Sequence, residues 1–137
     1  MGPTIVCLCG STRFKDDYIA ANRRETLAGK IVLSVGMFGH DEGIDMDGPV
    51  KKMLDELHLR KIDLANEILV IDPVGIVCTQ CGKPGRLFTE LSQETDCCRS
   101  KNWVVRSYIG ESTRKEIFYA TKLGKKVRFY STERKHE

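Results

Sequence analysis

The sequence predicts an α/β fold in which a parallel sheet of four to five strands carries helices on both faces. Short apolar runs that end at glycine, proline or polar residues recur along the chain, which is typical of strands buried on both faces. Segments with apolar residues at spacings of three and four lie between them, and this alternation indicates right-handed crossovers between parallel strands. A length of 137 residues, 41% of them hydrophobic and 30% charged, suits one soluble domain, 1–137.

Each predicted element has a recognisable start or end. Pro49 suits the first turn of a helix, and Gly29 and Gly124 are natural helix ends. The predicted strands are 4–9, 30–35, 67–72 and 125–130, and the predicted helices are 13–28, 49–66 and 110–123. A glycine-rich loop at 36–43 is long enough to be functional, and we expect a frayed polar tail at 131–137.

The segment 76–107 interrupts this alternation, because it is rich in Cys, Gly, Thr and Ser and has poor periodicity. Without it, Ile71–Gly75 would run into Tyr108–Glu111 through an ordinary short loop. We therefore interpret 76–107 as an insert within the single domain, at the carboxyl end of the third strand. In open α/β sheets, that edge is where ligands bind.

The insert carries the residues of a small zinc-ribbon-like site. Cys78 and Cys81 have the two-residue spacing that lets a tight turn aim two thiolates at one metal. Cys97 and Cys98 are adjacent, so either one of them ligates and another residue supplies the fourth ligand, or a bent backbone lets both bind. The expected cofactor is thus a structural zinc, and free surface thiols are the alternative.

The composition and the N-terminal sequence favour a cytoplasmic protein. No secretory signal precedes the first strand, and no apolar run approaches the roughly 20 residues of a membrane span. A net charge of +3 suits a small anionic ligand and is too weak for a nucleic-acid surface. Cysteines without an export signal are thiols or metal ligands, and we expect Cys7 and Cys9, in a buried strand, to be inert core residues.

The turn after the first strand predicts an anion site. A glycine permits a tight turn, and the start of a helix offers unpaired N–H groups. Two hydroxyls and a guanidinium would complete the cradle, which consists of Gly10, Ser11, Thr12 and Arg13. The alternative is an ordinary helix start with Ser11 as the N-cap.

The start of the last predicted helix offers a carboxylate. Glu116 lies one turn into that helix, where it would point into the crevice at the strand ends and could attack a sugar anomeric carbon. Ser112 would add a hydroxyl to the anion cradle. The alternative is a capping box formed by Thr113 and Glu116, which are three residues apart.

Two further residues are weaker candidates for a catalytic role. Asp72 ends a buried strand, where a charge requires a partner or a functional role. Its carboxylate could orient a ligand hydroxyl or Glu116. Its alternative is a turn aspartate before Pro73. His58 lies on a predicted helix, where a lone histidine is more often a packing or surface residue, and His40 in the glycine-rich loop is similar.

In this order and spacing, the motifs resemble the nucleoside 2-deoxyribosyltransferase-like superfamily, especially its nucleotide N-glycosidase branch. The matching segments are Cys9–Arg13, Ala65–Asp72, Ser112–Ala120 and Leu123–Val127. They span most of the chain outside the insert. The resemblance implies a flavodoxin-like or Rossmann-like sheet, cleavage of a base–sugar bond and a homo-oligomer. We expect no organic cofactor.

The resemblance also implies roles for individual residues. Glu116 would be the nucleophile on C1′, and Ser11, Arg13 and Ser112 would hold a 5′-phosphate. Asp72 or a neighbour would assist the sugar or the base. The aspartate that the family carries on the helix before the third strand aligns with His58, and Phe14 and Lys15 replace glycines that often follow the phosphate turn.

Two functions are compatible with these features. One is an N-glycosidase for a nucleoside 5′-monophosphate, acting as a hydrolase or as a base-exchange transferase. The alternative is a non-catalytic nucleotide sensor whose zinc insert contacts a protein partner or nucleic acid through Trp103 and basic residues. These basic residues are Lys83, Arg86, Arg99, Lys101 and Arg106.

Overall fold

The computed structural model describes residues 2–38, 48–78 and 103–134, without the side chains of 75–78, 103–106 and 134. In chain order, the elements are β1 (Ile5–Gly10), α1 (Lys15–Leu27), β2 (Ile31–Leu33), α2 (Pro49–Leu64), β3 (Glu67–Ile71), β4 (Val74–Cys78), β5 (Trp103–Ser107), α3 (Glu111–Lys122), β6 (Lys126–Phe129) and α4 (Tyr130–Arg134). Within these residues, no helix is both long and apolar enough to cross a bilayer.

Four strands form one parallel sheet in the order β2-β1-β3-β6. β1 pairs with β2 on one side and with β3 on the other, so that Cys7 lies opposite both Leu33 and Ile68. The chain therefore first builds one edge of the sheet and then returns past β1 to build the other. Such a reversal of strand order leaves a crevice at the carboxyl ends of the strands. The predicted α/β fold class is confirmed, with four strands in the sheet.

Side chains of the central strands alternate between two cores. Val6 and Leu8 of β1 face α1, where they pack with Tyr18 and Ala21. The other face of the sheet buries a second group against α2 and α3, formed by Cys7, Cys9, Ile62, Ala65, Ile68, Val70 and Ala120. Because each face of β1 is covered by a helix, an almost uninterrupted apolar run is required there.

Gly10 ends β1 in a conformation that suits glycine. Its φ is +155°, and an added Cβ would lie 2.8 Å from the carbonyl oxygen of Ile71. The Gly10 carbonyl in turn accepts a hydrogen bond from the Tyr18 hydroxyl at 2.8 Å. The turn that follows is thus fixed between β3 and α1.

Both predicted capping alternatives are wrong. The N-cap of α1 is Phe14, so Ser11 lies outside the helix. The N-cap of α3 is Gly110, in extended backbone, so Thr113 lies within the first turn and does not open a capping box with Glu116. The side chains of Ser11 and Glu116 are therefore available for other contacts.

The insert begins and ends in a two-stranded antiparallel ladder. β4 pairs with β5 from Val74 opposite Ser107 to Cys78 opposite Trp103. The Tyr108 N–H donates to the Pro73 carbonyl at 3.0 Å, so the chain leaves the domain and returns to it at adjacent positions. Both ends of the insert, 76–78 and 103–107, are therefore strands despite their poor periodicity. The zinc prediction for Cys78, Cys81, Cys97 and Cys98 concerns side chains outside the described residues.

The polar tail predicted from Ser131 is a short helix up to Arg134, and 135–137 lie outside the described residues. Asp72 holds the start of this helix. Its carboxylate accepts hydrogen bonds from the Ser131 backbone N–H at 2.9 Å and from the Ser131 hydroxyl at 2.8 Å. Asp72 is 2% exposed, so these bonds offset the cost of burying it.

A network of charges centred on Arg128 lies at the amino-terminal edge of the sheet. The guanidinium of Arg128 contacts the carboxylates of Glu25 at 2.6 Å, Glu67 at 2.6 Å and Glu133 at 2.7 Å. Burial would raise the pKa of Glu25, but hydrogen bonds from Arg128 and Lys30 outweigh it and lower this pKa to about 2. The network stabilises the end of the sheet that lies away from the crevice.

Candidate active site

A cavity of about 460 Å³ opens at the carboxyl ends of β1 and β2, between α2 and α3. This volume lies in the range of small-molecule sites. The cavity brings together seven residues that the sequence singled out, namely Gly10, Ser11, Thr12, Arg13, His58, Ser112 and Glu116. Their assembly follows from the topology, because the turn after β1 and the starts of α2 and α3 meet at the same edge of the sheet.

The turn after β1 lines this cavity and carries two buried polar atoms without partners in the described residues. Thr12 Oγ1 and Arg13 Nε are buried and have no hydrogen-bond partner within the described part of the chain. The Arg13 guanidinium lies 5.5 Å from the centre of the Tyr108 ring, which holds it against the cavity wall. An unpaired buried polar atom costs roughly 1–3 kcal/mol, so this turn is suited to a polar ligand.

Glu116 projects from α3 into the same cavity and is 8% exposed. Burial raises the pKa of its carboxyl group to about 7, and the neighbouring Cys7 and Asp55 add to this effect, whereas His58 and Lys51 oppose it. No ion pair holds this carboxylate among residues 2–38, 48–78 and 103–134. Glu116 therefore changes its protonation state near neutral pH.

Lys51 joins α2 to α3 at the cavity. Its ammonium forms an ion pair with Asp55, one turn further along α2, and donates a hydrogen bond to Ser112 Oγ at 3.1 Å. Asp55 lines the cavity, although we did not predict it as a site residue. Its spacing of three residues before His58 could have indicated it, because that spacing places both side chains on one face of the helix.

A second group of reactive side chains lies beneath the cavity. His58 Nε2 is 2.9 Å from the Leu8 carbonyl oxygen, 3.5 Å from Cys7 Sγ and 3.6 Å from Cys9 Sγ. One ligand atom from each of Cys7, Cys9 and His58 lies within 4.8 Å of the others, so these residues could bind a metal ion. Cys7 and Cys9 are buried core residues, as expected, but their position beside His58 also makes them candidate metal ligands, which we did not predict. Their spacing of two along a strand, which places both thiols on one face, was the available signal.

The electrostatics of this group couple its members to one another. The hydrogen bond from Cys9 lowers the pKa of the Cys7 thiol to about 5, against the effect of burial and with help from His58. Burial lowers the pKa of His58, but the contact with Cys7 outweighs it and the net shift is upward. Burial, with Cys7 and Glu116 as further causes, raises the pKa of Cys9. Cys7 and His58 thus stabilise the charged forms of each other.

Asp72 does not line the cavity and is bound to Ser131. Asp72 therefore holds the start of α4 and does not have the role that was expected at the site. His40 lies outside the described residues.

Comparisons of the chain with models of protein families, with curated proteins and with solved structures gave no match. The resemblance to the deoxyribosyltransferase-like superfamily thus stays a prediction from the motifs. The cavity and its side chains are the observations from which a function can be inferred.

Proposed function

We propose that the chain cleaves the base–sugar bond of a nucleoside 5′-monophosphate, with Glu116 as the nucleophile. One observation carries the proposal: a buried carboxylate without an ion pair in the described residues lines the same nucleotide-sized cavity as the turn that carries the unpaired polar atoms of Thr12 and Arg13. Carboxylates buried in this way are typical of reactive groups, because a purely structural carboxylate would have a cationic partner.

The phosphate would bind at the turn after β1. Thr12 Oγ1 and Arg13 Nε supply donors, and the Ser112 hydroxyl, held by Lys51, lies on the opposite wall. A dianionic phosphate would satisfy these donors and would lie against the positive charges of Arg13 and Lys51. This anchoring would place the ribose between the turn and α3, within reach of Glu116.

In the first chemical step, an ionised Glu116 oxygen attacks C1′ from the face opposite the base. The bond from C1′ to the base nitrogen breaks, and its electron pair leaves with the base. In the second step, water or another base displaces the Glu116 carboxylate from C1′. Over the complete hydrolysis, one water supplies the hydroxyl group that ends on C1′ and the proton that ends on the base.

Asp55 is suited to bind the sugar hydroxyls. Asp55 lines the cavity, and its carboxylate forms an ion pair with Lys51. By resemblance, the family carries an aspartate at the position of His58, and Asp55 lies one helical turn before that position. We assign the role of that aspartate to Asp55.

The test is base release from a panel of ribo- and deoxyribonucleoside 5′-monophosphates, measured by chromatography. We expect release by the unmodified protein, loss of release in Glu116→Gln, and unchanged release in Glu56→Gln, which alters a carboxylate that is 66% exposed. Nucleotide binding without base release would contradict the proposal and would favour a sensor. Release that persists in folded Glu116→Gln would exclude Glu116 as the nucleophile.

A further inference from the structure

The group formed by Cys7, Cys9 and His58 supplies no reacting atom in the proposed base release. We propose that it is a binding site for Zn²⁺, separate from the cysteines of the insert. Two thiolates and an imidazole are the ligands that zinc prefers over magnesium or calcium, which bind oxygen. The site therefore selects a borderline-soft divalent ion by its chemistry.

The two sulfur–nitrogen distances fit a single tetrahedral ion. Zinc lies about 2.3 Å from a thiolate sulfur and about 2.0–2.1 Å from an imidazole nitrogen. At tetrahedral angles, these bond lengths separate the sulfur from the nitrogen by about 3.5–3.6 Å. The observed separations from His58 Nε2 are 3.5 Å to Cys7 Sγ and 3.6 Å to Cys9 Sγ.

The ligands are held by rigid parts of the fold. Cys7 and Cys9 point to the same face of β1, the strand that pairs on both sides, and both are 0% exposed. His58 reaches them from α2 and is 7% exposed. Since the ligands are already within 4.8 Å of one another, binding requires little ordering of side chains.

His58 is the member of this group that borders the cavity. His58 forms part of the cavity wall, and the Glu116 carboxylate lies on the same wall. Three protein ligands with one position open to solvent or to a ligand are typical of reactive zinc sites, whereas structural sites have four protein ligands. Among the described residues the group supplies three ligands, so the identity of the fourth ligand would decide between these two classes.

Binding exchanges protons for the metal. Cys7 and Cys9 bind as thiolates, and two protons are released to solvent, one from Cys9 and one from the Cys7–His58 pair. His58 binds through Nε2 as a neutral ring with its remaining proton on Nδ1, so the hydrogen bond from Nε2 to the Leu8 carbonyl is replaced by the bond to zinc.

The test is titration of the full chain with Co²⁺, a spectroscopic substitute for zinc whose visible bands report tetrahedral thiolate coordination. The variant Cys78→Ser/Cys81→Ser removes two insert cysteines, and we expect it to bind one tetrahedral Co²⁺ per chain. Adding His58→Gln removes a ligand itself. It should therefore weaken cobalt binding by more than the roughly 10- to 100-fold that follows when only the hydrogen-bond partner of a ligand is lost. Zinc should displace the cobalt.

Two results would overturn the proposal: no thiolate–cobalt bands in the folded insert variant, or an affinity that His58→Gln leaves unchanged. If the insert variant does not fold, His58→Gln and Cys9→Ala are each made singly in the otherwise unmodified chain. Each of these variants should bind one cobalt ion fewer per chain. Metal binding is measured without nucleotide, so its failure and the failure of base release are distinguishable.

Discussion

Glu25 and Glu116 are buried to a similar degree, at 2% and 8% exposed, but have opposite electrostatics. Glu25 lies in the network around Arg128, where cationic partners lower its pKa to about 2. Glu116 lies at the carboxyl edge of the sheet, where burial without an ion pair in the described residues raises its pKa to about 7. The charge of Glu25 thus stabilises the fold, whereas the charge of Glu116 destabilises it and is available for chemistry.

The two carboxylates therefore affect stability in different pH ranges. Because its folded-state pKa is lowered, Glu25 contributes stability that is present above about pH 4.5 and is lost as the pH falls towards 2. The folded-state pKa of Glu116 is raised, so the folded protein binds the extra proton between pH 4.5 and 7. Stability falls as the pH rises through that window.

The largest effect on stability is expected from Arg128→Met. This change leaves Glu25 and Glu67 buried without their main cation, and breaking a buried ion pair typically costs 3–5 kcal/mol. Urea unfolding at pH 7 measures this loss in the free energy of unfolding. The matched control is Arg60→Met, whose guanidinium is 52% exposed and whose ion pairs contribute little. Equal losses in the two variants would mean that the network does not stabilise the fold.

Glu116→Gln should have the opposite effect on stability. The amide carries no charge, so the variant should gain on the order of 2–3 kcal/mol in free energy of unfolding at pH 8 and almost nothing near pH 4. Chelator-treated protein and urea unfolding at the two pH values provide the measurement. A variant that is less stable than the unmodified protein at pH 8 would show that Glu116 has a stabilising partner.

The pH dependence of base release should follow the ionisation of Glu116. Attack on C1′ requires the carboxylate, so kcat/KM should increase as the pH rises through about 7 and level off above it. A rate that is already constant between pH 5 and 8 would contradict a nucleophile with a raised pKa. Steady-state kinetics with the best nucleotide of the panel would measure the profile.

The smallest effect is expected from Thr12→Val. The change removes a buried hydroxyl that has no partner in the described part of the chain, so stability should stay within about 1 kcal/mol or rise slightly. Nucleotide binding should nevertheless weaken, as calorimetry would show. The control Thr26→Val removes a hydroxyl that donates to Asn22 at 3.0 Å. Unchanged nucleotide affinity in Thr12→Val would place the phosphate elsewhere.

The parts of the fold that depend on local patterns could be predicted from the sequence. The run before Gly10 and the apolar stretch 67–71 specify buried strands, and the parallel order then brings the turn after β1 close to Glu116. Short elements were missed, because five residues such as Tyr130–Arg134 show no periodicity. The second strand is Ile31–Leu33, shorter than the predicted 30–35.

Contacts between distant residues could not be predicted. His58 meets Cys7 from 51 positions away, and Arg128 meets Glu25 from 103 positions away. A local sequence pattern does not indicate such a contact, since each of the two residues alone is compatible with a surface or a core position. Asp72 illustrates the same limit, because its partner Ser131 belongs to a segment that the sequence suggested to be a tail.

Capture of the covalent intermediate tests the central claim most directly. A 2-fluoro nucleoside 5′-monophosphate, whose fluorine slows the second step, would be incubated with the protein and the digest analysed by mass spectrometry. We expect the peptide containing Glu116 to gain the mass of the fluorinated sugar phosphate as the base is released, and no gain in Glu116→Gln. Base release by the unmodified protein without any adduct at Glu116, or an adduct on another residue, would contradict the account.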